Sequence, residues 1–275
     1  MVLESLLNVS KAEKKPWETF FLGILYASFG IILALWIFKS ESSMIMVLLT
    51  VVASIPLIYK TFKYEEKKDV LIKEERALLR EHGKALKFLM YLFFGFIVAY
   101  AVWFVFLPEN ITETLFRVQL TTINQINSRI SGTTSFGEGI LMQIFFNNFK
   151  VLMFTILFAF FYGAGTIFIL TWNATVIAAA IGNFARTKFA ETFGSYFAII
   201  PVAVARYMTH GSFEILAYFV GGLAGGIISV AIINHDIESE NFKKILKDSF
   251  ALILLSLALL VIAALVEVFI TPALF

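Results

Sequence analysis

The stretch that decides the fold runs from Arg206 to Ile233 and reads RYMTHGSFEILAYFVGGLAGGIISVAII. It begins with three ionisable residues at four-residue spacing, Arg206, His210 and Glu214. The remainder carries no charge and is mostly apolar, which predicts a membrane-spanning helix. A carboxylate at the mouth of such a helix is costly unless it is paired or hydrated. Glu214 is therefore a candidate functional residue.

Small residues occupy the centre of this helix. Gly221 with Gly225, and Gly222 with Gly226, form two overlapping Gly-xxx-Gly pairs that let another helix approach closely. The favoured interpretation is helix packing, either within one chain or across a dimer. A smooth wall along a conduit is the alternative.

The composition is that of an integral membrane protein. Of 275 residues, 59% are hydrophobic and 15% are charged, against about 45–50% and about 25% in soluble domains. The net charge of +2 is too small to favour a nucleic-acid partner. The absence of cysteine excludes disulfides, cysteine-ligated zinc and iron–sulfur clusters. We expect a multi-pass protein of the cell membrane, with the lipid bilayer as its first partner.

The N-terminal region, 1–107, contains three apolar runs that predict spans at 19–38, 42–59 and 88–107. The stretch 60–87 between the last two carries nine Lys/Arg and six Asp/Glu, so it is expected to be cytoplasmic. Its leucines and alanines at seven-residue spacing predict a helix with a narrow apolar stripe. This helix either packs on a second copy or on lipid headgroups, or is solvated and continues the third span.

The next region, 108–148, has only two basic residues and is placed outside the cell as an amphipathic loop. Apolar residues at helical spacing predict a surface helix from Phe116 to Ile130. The residues from Ser131 to Gly139 are predicted to be a flexible link.

The remainder, 149–275, is predicted to be the membrane core. Its uncharged run, 151–185, is too long for one span and short for two spans with a turn. We divide it into a full span at 151–170 and a break at Thr171-Trp172-Asn173. The half-length segments 173–185 and 194–208 then follow.

Two further spans, 212–233 and 249–270, are joined by a cytoplasmic loop that contains three lysines. The region 108–148 is placed outside and this loop inside, so the chain must cross the membrane an odd number of times between them. The spans at 151–170 and 212–233 supply two crossings, and 172–211 must therefore supply one more. The predicted fold is therefore an all-α polytopic membrane protein with about seven crossings. Six are strong spans and one is built from broken or re-entrant half-helices, with the N-terminus inside and the C-terminus outside.

Several short motifs in residues 145–275 occur together, in an order that resembles the stage II sporulation protein M (SpoIIM) family. They are Asn147-Asn148, Gly163-Ala-Gly165, Asn173, Gly182, His210-Gly-x-x-Glu214, Gly221-Gly-Leu-Ala-Gly-Gly226 and Ala263-Ala-Leu-Val-Glu267-Val-Phe-Ile-Thr-Pro272. Thr209 departs from the pattern, since the family usually has proline there.

The resemblance implies a non-catalytic polytopic membrane protein. The family's namesake supports a complex of peptidoglycan-degrading enzymes during engulfment. The sequence adds no enzyme signature, since it lacks Gly-x-Ser-x-Gly, His-Glu-x-x-His and a phosphate-binding glycine loop. We therefore predict a scaffold without catalytic residues or cofactors, homodimeric, with unidentified membrane or envelope partners. The alternative is a channel or secondary transporter with its pathway at the helix break near Glu214.

The charged residues at the start of the glycine helix have three possible roles. Arg206, His210 and Glu214 either form a charge network that fixes the broken segment, or bind an ion or proton at the discontinuity. A metal site is disfavoured because one His and one Glu are too few ligands.

The other polar candidates are expected at helix ends. Asn147, Asn148 and Asn173 are predicted to satisfy backbone groups where helices begin or break, with substrate binding as the alternative. Glu267 lies near the outer end of the last span, either solvated or paired within the chain. Gly163, Gly165 and Gly182 are assigned to helix packing.

Overall fold

Helices make up the secondary structure of the computed structural model, which describes residues 9–131, 138–160, 163–192, 196–235 and 237–274. No strand occurs within these ranges, so the predicted all-helical class is confirmed. The helices in chain order are α1 (Val9–Lys14), α2 (Trp17–Phe38), α3 (Ser42–Leu71), α4 (Glu75–Phe106), α5 (Glu109–Leu115), α6 (Arg117–Ser131), α7 (Glu138–Ala159), α8 (Ala164–Thr192), α9 (Tyr196–Asn234), α10 (Glu240–Leu265) and α11 (Thr271–Leu274).

Six helical segments in the described ranges are long and apolar enough to cross a membrane. They are Trp17–Leu71, Glu75–Phe106, Gly139–Ala159, Ala164–Phe189, Val204–Asn234 and Glu240–Leu274. The first of them contains both α2 and α3, which are joined by a short 3-10 turn at Lys39–Glu41.

The N-terminal helices pack through glycines that the sequence did not single out. A Cβ on Gly95 of α4 would lie 3.0 Å from the Gly23 Cα of α2, so the two backbones touch at this crossing. About two turns further along α2, a Cβ on Gly30 would lie 2.8 Å from the Met46 carbonyl of α3. Close backbone approach of this kind is typical of helices in membranes.

The charged stretch 60–87 is a helical hairpin, not one helix. Helix α3 continues to Leu71, residues 72–74 turn the chain, and α4 begins at Glu75. A solvated helix is one of the predicted alternatives for this stretch. It is wrong where α3 and α4 face each other in the hairpin, because Glu65 and His82 are buried there. These charges are buried because they pair with each other across the hairpin, which lowers the cost of removing them from water.

Helix α9 lies at the centre of the C-terminal half and packs against α7, α8 and α10. The predicted span at 151–170 is wrong, because Phe160 and Gly163 lie in a turn between α7, which ends at Ala159, and α8, which begins at Ala164. Gly163 makes this turn with φ of 76°, and its N–H donates to the Ala159 carbonyl at 3.0 Å. A glycine with positive φ just beyond the last turn is a common helix terminator.

The predicted break at Thr171-Trp172-Asn173 is also wrong, since α8 continues through these residues to Thr192. Local side-chain bonds accommodate the polar residues there: Asn173 Nδ2 donates to the Ile169 carbonyl at 2.8 Å. Helix α9 likewise runs unbroken from Tyr196 to Asn234, through Pro201. The segment 173–185 and the described part of the second segment, 196–208, therefore belong to continuous helices and are not re-entrant halves.

The described part of the region 108–148 is more helical than the sequence indicated. Helix α6 coincides with the predicted surface helix, and Gln119 ties it to the bundle. The Gln119 side chain accepts from Ser43 at 2.9 Å and donates to Thr175 of α8 at 3.2 Å. Helix α7 begins at Glu138, inside the stretch assigned to the outer loop. Most of the predicted flexible link, 132–137, lies outside the described residues.

Candidate functional site

The candidate site is a pair of carboxyl groups between α7, α9 and the end of α10. Glu214 lies on α9, and its Oε1 accepts a hydrogen bond from Asn148 Nδ2 of α7. The carboxyl group of Glu267 lies close enough to interact electrostatically with that of Glu214. Two neighbouring carboxylates repel each other when both are ionised. The pair can therefore hold one shared proton between the two carboxyl groups.

The backbone that carries Glu267 is unusual. Residues Val266–Ile270 form a short π-helical turn between α10 and α11. Such turns are rare insertions in α-helices and occur frequently at functional sites, because the extra residue redirects a side chain. Here the side chain of Glu267 reaches Glu214 on the neighbouring helix.

The depth of the site follows from the helix geometry. Ser229 of α9 donates to the Phe160 carbonyl at 3.2 Å, so the residue that follows α7 lies beside Ser229 along the length of α9. Glu214 is about 22 Å from that level along α9, at a rise of 1.5 Å per residue. This separation is shorter than the thickness of a hydrocarbon core, which is about 30 Å.

The three residues that open the glycine helix do not form one network among the described side chains. Arg206 is exposed, and its guanidinium lies 5.9 Å from the centre of the Phe184 ring. His210 Nδ1 lies 3.2 Å from the hydroxyl of Thr271, beyond the π turn. Because α9 is continuous through Gly211, the three side chains share a face but contact three different elements.

The asparagines are not at helix ends, contrary to the prediction. Asn148 lies in the middle of α7 and binds Glu214, while Asn173 lies within α8 and bonds to its own backbone. Asn147 is exposed and lines a cavity between α7 and α8.

The glycines of α9 pack against neighbouring helices of the same chain. A Cβ on Gly221 would lie 2.5 Å from Leu152, and one on Gly225 would lie 2.7 Å from the Ile156 carbonyl. Gly222 faces Thr166 at 2.5 Å, and Gly226 faces Phe62. This face is therefore covered by α7, α8 and α3 and is not available as a dimer contact.

The remaining glycines assigned to packing have separate positions. Gly163 makes the α7–α8 turn, and Gly165 faces Phe158 across it. Gly182 of α8 faces Phe104 of α4, where a Cβ would lie 2.5 Å from the ring.

The sequence missed a second polar cluster, where α3 and α4 face each other in the hairpin of residues 60–87. Lys68 Nζ binds Glu13 at 2.5 Å and Glu65 at 2.9 Å, and His82 Nδ1 lies 2.8 Å from Glu65. Burial raises the pKa of Glu13, and the hydrogen bond from Lys68 opposes this effect. The sequence feature that accompanies this cluster is the mixture of positive and negative residues in 60–87. The same mixture is typical of a solvated surface, so it does not distinguish the two.

A related contact links this hairpin to the α9–α10 loop. His235 Nε2 lies 2.5 Å from Glu66 of α3, and Asn234 lies 3.5 Å from the same carboxylate. Lys244 of α10 donates to the Ile72 carbonyl at 3.0 Å. The cluster therefore fixes the inner ends of α3, α4 and α9 relative to one another. Within the described ranges, no three His, Asp or Glu side chains are arranged to hold a metal ion.

A profile of the stage II sporulation protein M family matches residues 85–272, more than half of the chain. The chain belongs to the SpoIIM family. The match begins in α4, well before residue 145, where the resemblance in the motifs starts. All three members of the Asn148, Glu214 and Glu267 site lie within the SpoIIM match.

An uncharacterised protein of Methanocaldococcus jannaschii is similar to this SpoIIM-family chain. The two are 28% identical over 133 residues, which cover 47% of this chain and 70% of the relative. No solved structure matches the chain.

Proposed function

We propose that this SpoIIM-family protein is a non-catalytic scaffold of the cell membrane with seven crossings, its N-terminus inside and its C-terminus outside. The count is supported by the segment Trp17–Leu71, because it holds two antiparallel helices, α2 and α3, joined at Lys39–Glu41. The six apolar segments then supply seven crossings. The charged hairpin 60–87 lies on the inner side, as the positive-inside rule requires.

The observation that carries the scaffold role is the cytoplasmic hairpin. Its inner face is locked by the ion pairs of Lys68 and His82, so its shape is fixed. Its tip instead exposes apolar side chains: Leu71 is 79% exposed and Leu79 is 50% exposed. Exposed apolar groups on a rigid support, surrounded by charge, are typical of a protein-binding surface.

The scaffold is proposed as a homodimer that recruits membrane or envelope proteins. The dimer contact must use a surface other than the glycine face of α9, because that face is covered within the chain.

Site-specific crosslinking in native membranes tests this proposal. A photoreactive amino acid at Leu79 should yield an adduct with a different protein, identified by mass spectrometry. The same label at Phe21, an exposed residue of the apolar span α2, is the matched control and should yield lipid adducts. If Leu79 gives only adducts of this chain with itself, recruitment of partners is refuted.

A second candidate function, coupling to a proton or cation, is favoured by the carboxyl pair. Glu214 and Glu267 lie at membrane depth, and ionisable residues there commonly mark ion pathways and proton relays. Against this function, the glycine face of α9 is tightly packed and does not line a conduit.

Flux into liposomes separates the two functions. The scaffold predicts no ion-dependent flux from purified protein. Flux that Glu214→Gln abolishes, and that Glu240→Gln leaves unchanged, would establish ion coupling instead. Glu240 is a suitable control because it is an exposed carboxylate at the start of α10.

A further inference from the structure

A cavity of about 630 Å³ lies between α6, α7 and α8, apart from both polar clusters. Its volume is in the range of small-molecule sites in proteins. All three helices contribute to its walls, with Thr122 from α6, Asn147 and Val151 from α7, and Trp172 and Asn173 from α8.

The cavity is long and runs along the helix axes. On α7 it extends from Phe158 to Asn147 and on α8 from Gly165 to Val176, about 16 Å in each case at 1.5 Å per residue. Its inner end lies near the α7–α8 turn, where Gly163 packs against Ile58 of α3. Its outer end lies beneath helix α6. The cavity is therefore a groove parallel to the membrane normal.

The two ends of the groove differ in polarity. The inner part is walled by Phe154, Phe158 and Phe168, while Thr122, Asn147 and Asn173 lie at the outer part. No charged residue contributes to the described lining. A ligand that fits has a hydrocarbon chain directed inwards and an uncharged hydrogen-bonding group at the outer end.

We propose that this groove binds the hydrocarbon chain of an outer-leaflet membrane lipid, with the glycerol–ester region at Asn147 and Asn173. Water is a poor occupant, since apolar cavities do not hydrate favourably. One extended chain fits the volume. The Asn147 amide, and the second N–H of the Asn173 amide whose first N–H binds the Ile169 carbonyl, supply hydrogen-bond donors for ester oxygens.

Fluorescence quenching by brominated phosphatidylcholine tests the site, because Trp172 lies in the groove beside Asn173. The protein has four tryptophans, and three are replaced by phenylalanine to leave Trp172 alone. A matched variant keeps only Trp36, which is 75% exposed on the apolar surface of α2 and reports ordinary bilayer lipid. Both are reconstituted in vesicles of this lipid, with bromine either near the ester or at the chain end.

Bromine near the ester is expected to quench Trp172 more strongly than bromine at the chain end. Val151→Phe, which fills the groove from α7, should remove roughly half or more of that quenching while Trp36 is unaffected. An unchanged melting temperature and unchanged Trp36 quenching show that this variant is folded.

Three outcomes overturn the proposal. Unchanged Trp172 quenching in Val151→Phe would mean that Trp172 senses only bulk lipid. Quenching by aqueous acrylamide but not by brominated lipid would mean that water fills the groove. Stronger quenching from the chain end would exclude the assigned orientation. The assignment to the outer leaflet rests on the topology of the proposed function. None of these outcomes bears on partner recruitment or on ion flux, so failure of this inference is distinguishable from failure of the scaffold role.

Discussion

Replacing Gly225 by alanine should destabilise the protein, because the packing of α9 on α7 leaves no room for a methyl group. The added Cβ would lie 2.7 Å from the Ile156 carbonyl oxygen and 2.9 Å from the Ala159 Cβ. The first contact is with backbone, which cannot rotate away as a flexible side chain can. Helix α7 must therefore move outwards as a unit.

The magnitude follows from two opposing effects. Overpacking of a tight core costs about 1–3 kcal/mol, and alanine regains up to about 1 kcal/mol relative to glycine through helix propensity. The expected net loss is roughly 1–2 kcal/mol, since a backbone contact puts the cost near the top of its range. Gly211→Ala on the same helix is the control, because its Cβ would meet no atom within 4 Å. The free energy of unfolding of that variant should rise by up to about 1 kcal/mol.

Thermal unfolding in detergent or nanodiscs, followed by tryptophan fluorescence, measures the difference. At about 2–4 °C per kcal/mol for a chain of this size, Gly225→Ala should melt several degrees below Gly211→Ala. Equal melting temperatures for the two variants would refute the packing argument, since helix propensity affects both in the same way.

Three further predictions concern polar contacts. Lys68→Met should destabilise the protein by about 3–5 kcal/mol, because it leaves buried carboxylates unpaired, whereas Lys67→Met at an exposed position should change the melting temperature little. Arg186→Gln should cost about 1–3 kcal/mol in the same assay, because the guanidinium donates to the Val105 carbonyl at 3.1 Å and also to the Leu107 carbonyl, at the end of α4. Glu267→Gln should remove the second carboxyl group beside Glu214 and with it the shared proton, so the melting temperature should depend less on pH than in the wild type. A pH dependence equal to that of the wild type would contradict the shared proton.

The sequence was sufficient for the helical class and for three N-terminal helices, because long uncharged runs bounded by charge locate spans directly. It failed at 151–185, where the turn between α7 and α8 is itself apolar and hydropathy has no minimum. The polar residues at 171–173 looked like a break instead. The available signal was Gly163, since only its backbone conformation, and not its polarity, ends the helix.

The candidate site was predicted only in part for a different reason. Glu214 was singled out because a carboxylate in an apolar helix is conspicuous, but its partners lie far away in sequence. Asn148 and Glu267 come from helices whose register against α9 depends on packing, and the π turn that directs Glu267 has no recognisable pattern in a single sequence. Charge alone could not separate the buried side of the hairpin from its exposed tip.

The glycine helix and the carboxyl pair are parts of one arrangement, because the same helix contacts both. Helix α7 presents Ile156 to Gly225 and, two turns away, Asn148 to Glu214. Any displacement of α7 at the glycine contact therefore shifts the amide that binds the carboxylate. It follows that packing and site should not be independent: Gly225→Ala combined with Asn148→Leu should cost less than the sum of the single changes. Strict additivity would mean that α9 holds Glu214 in place without help from α7.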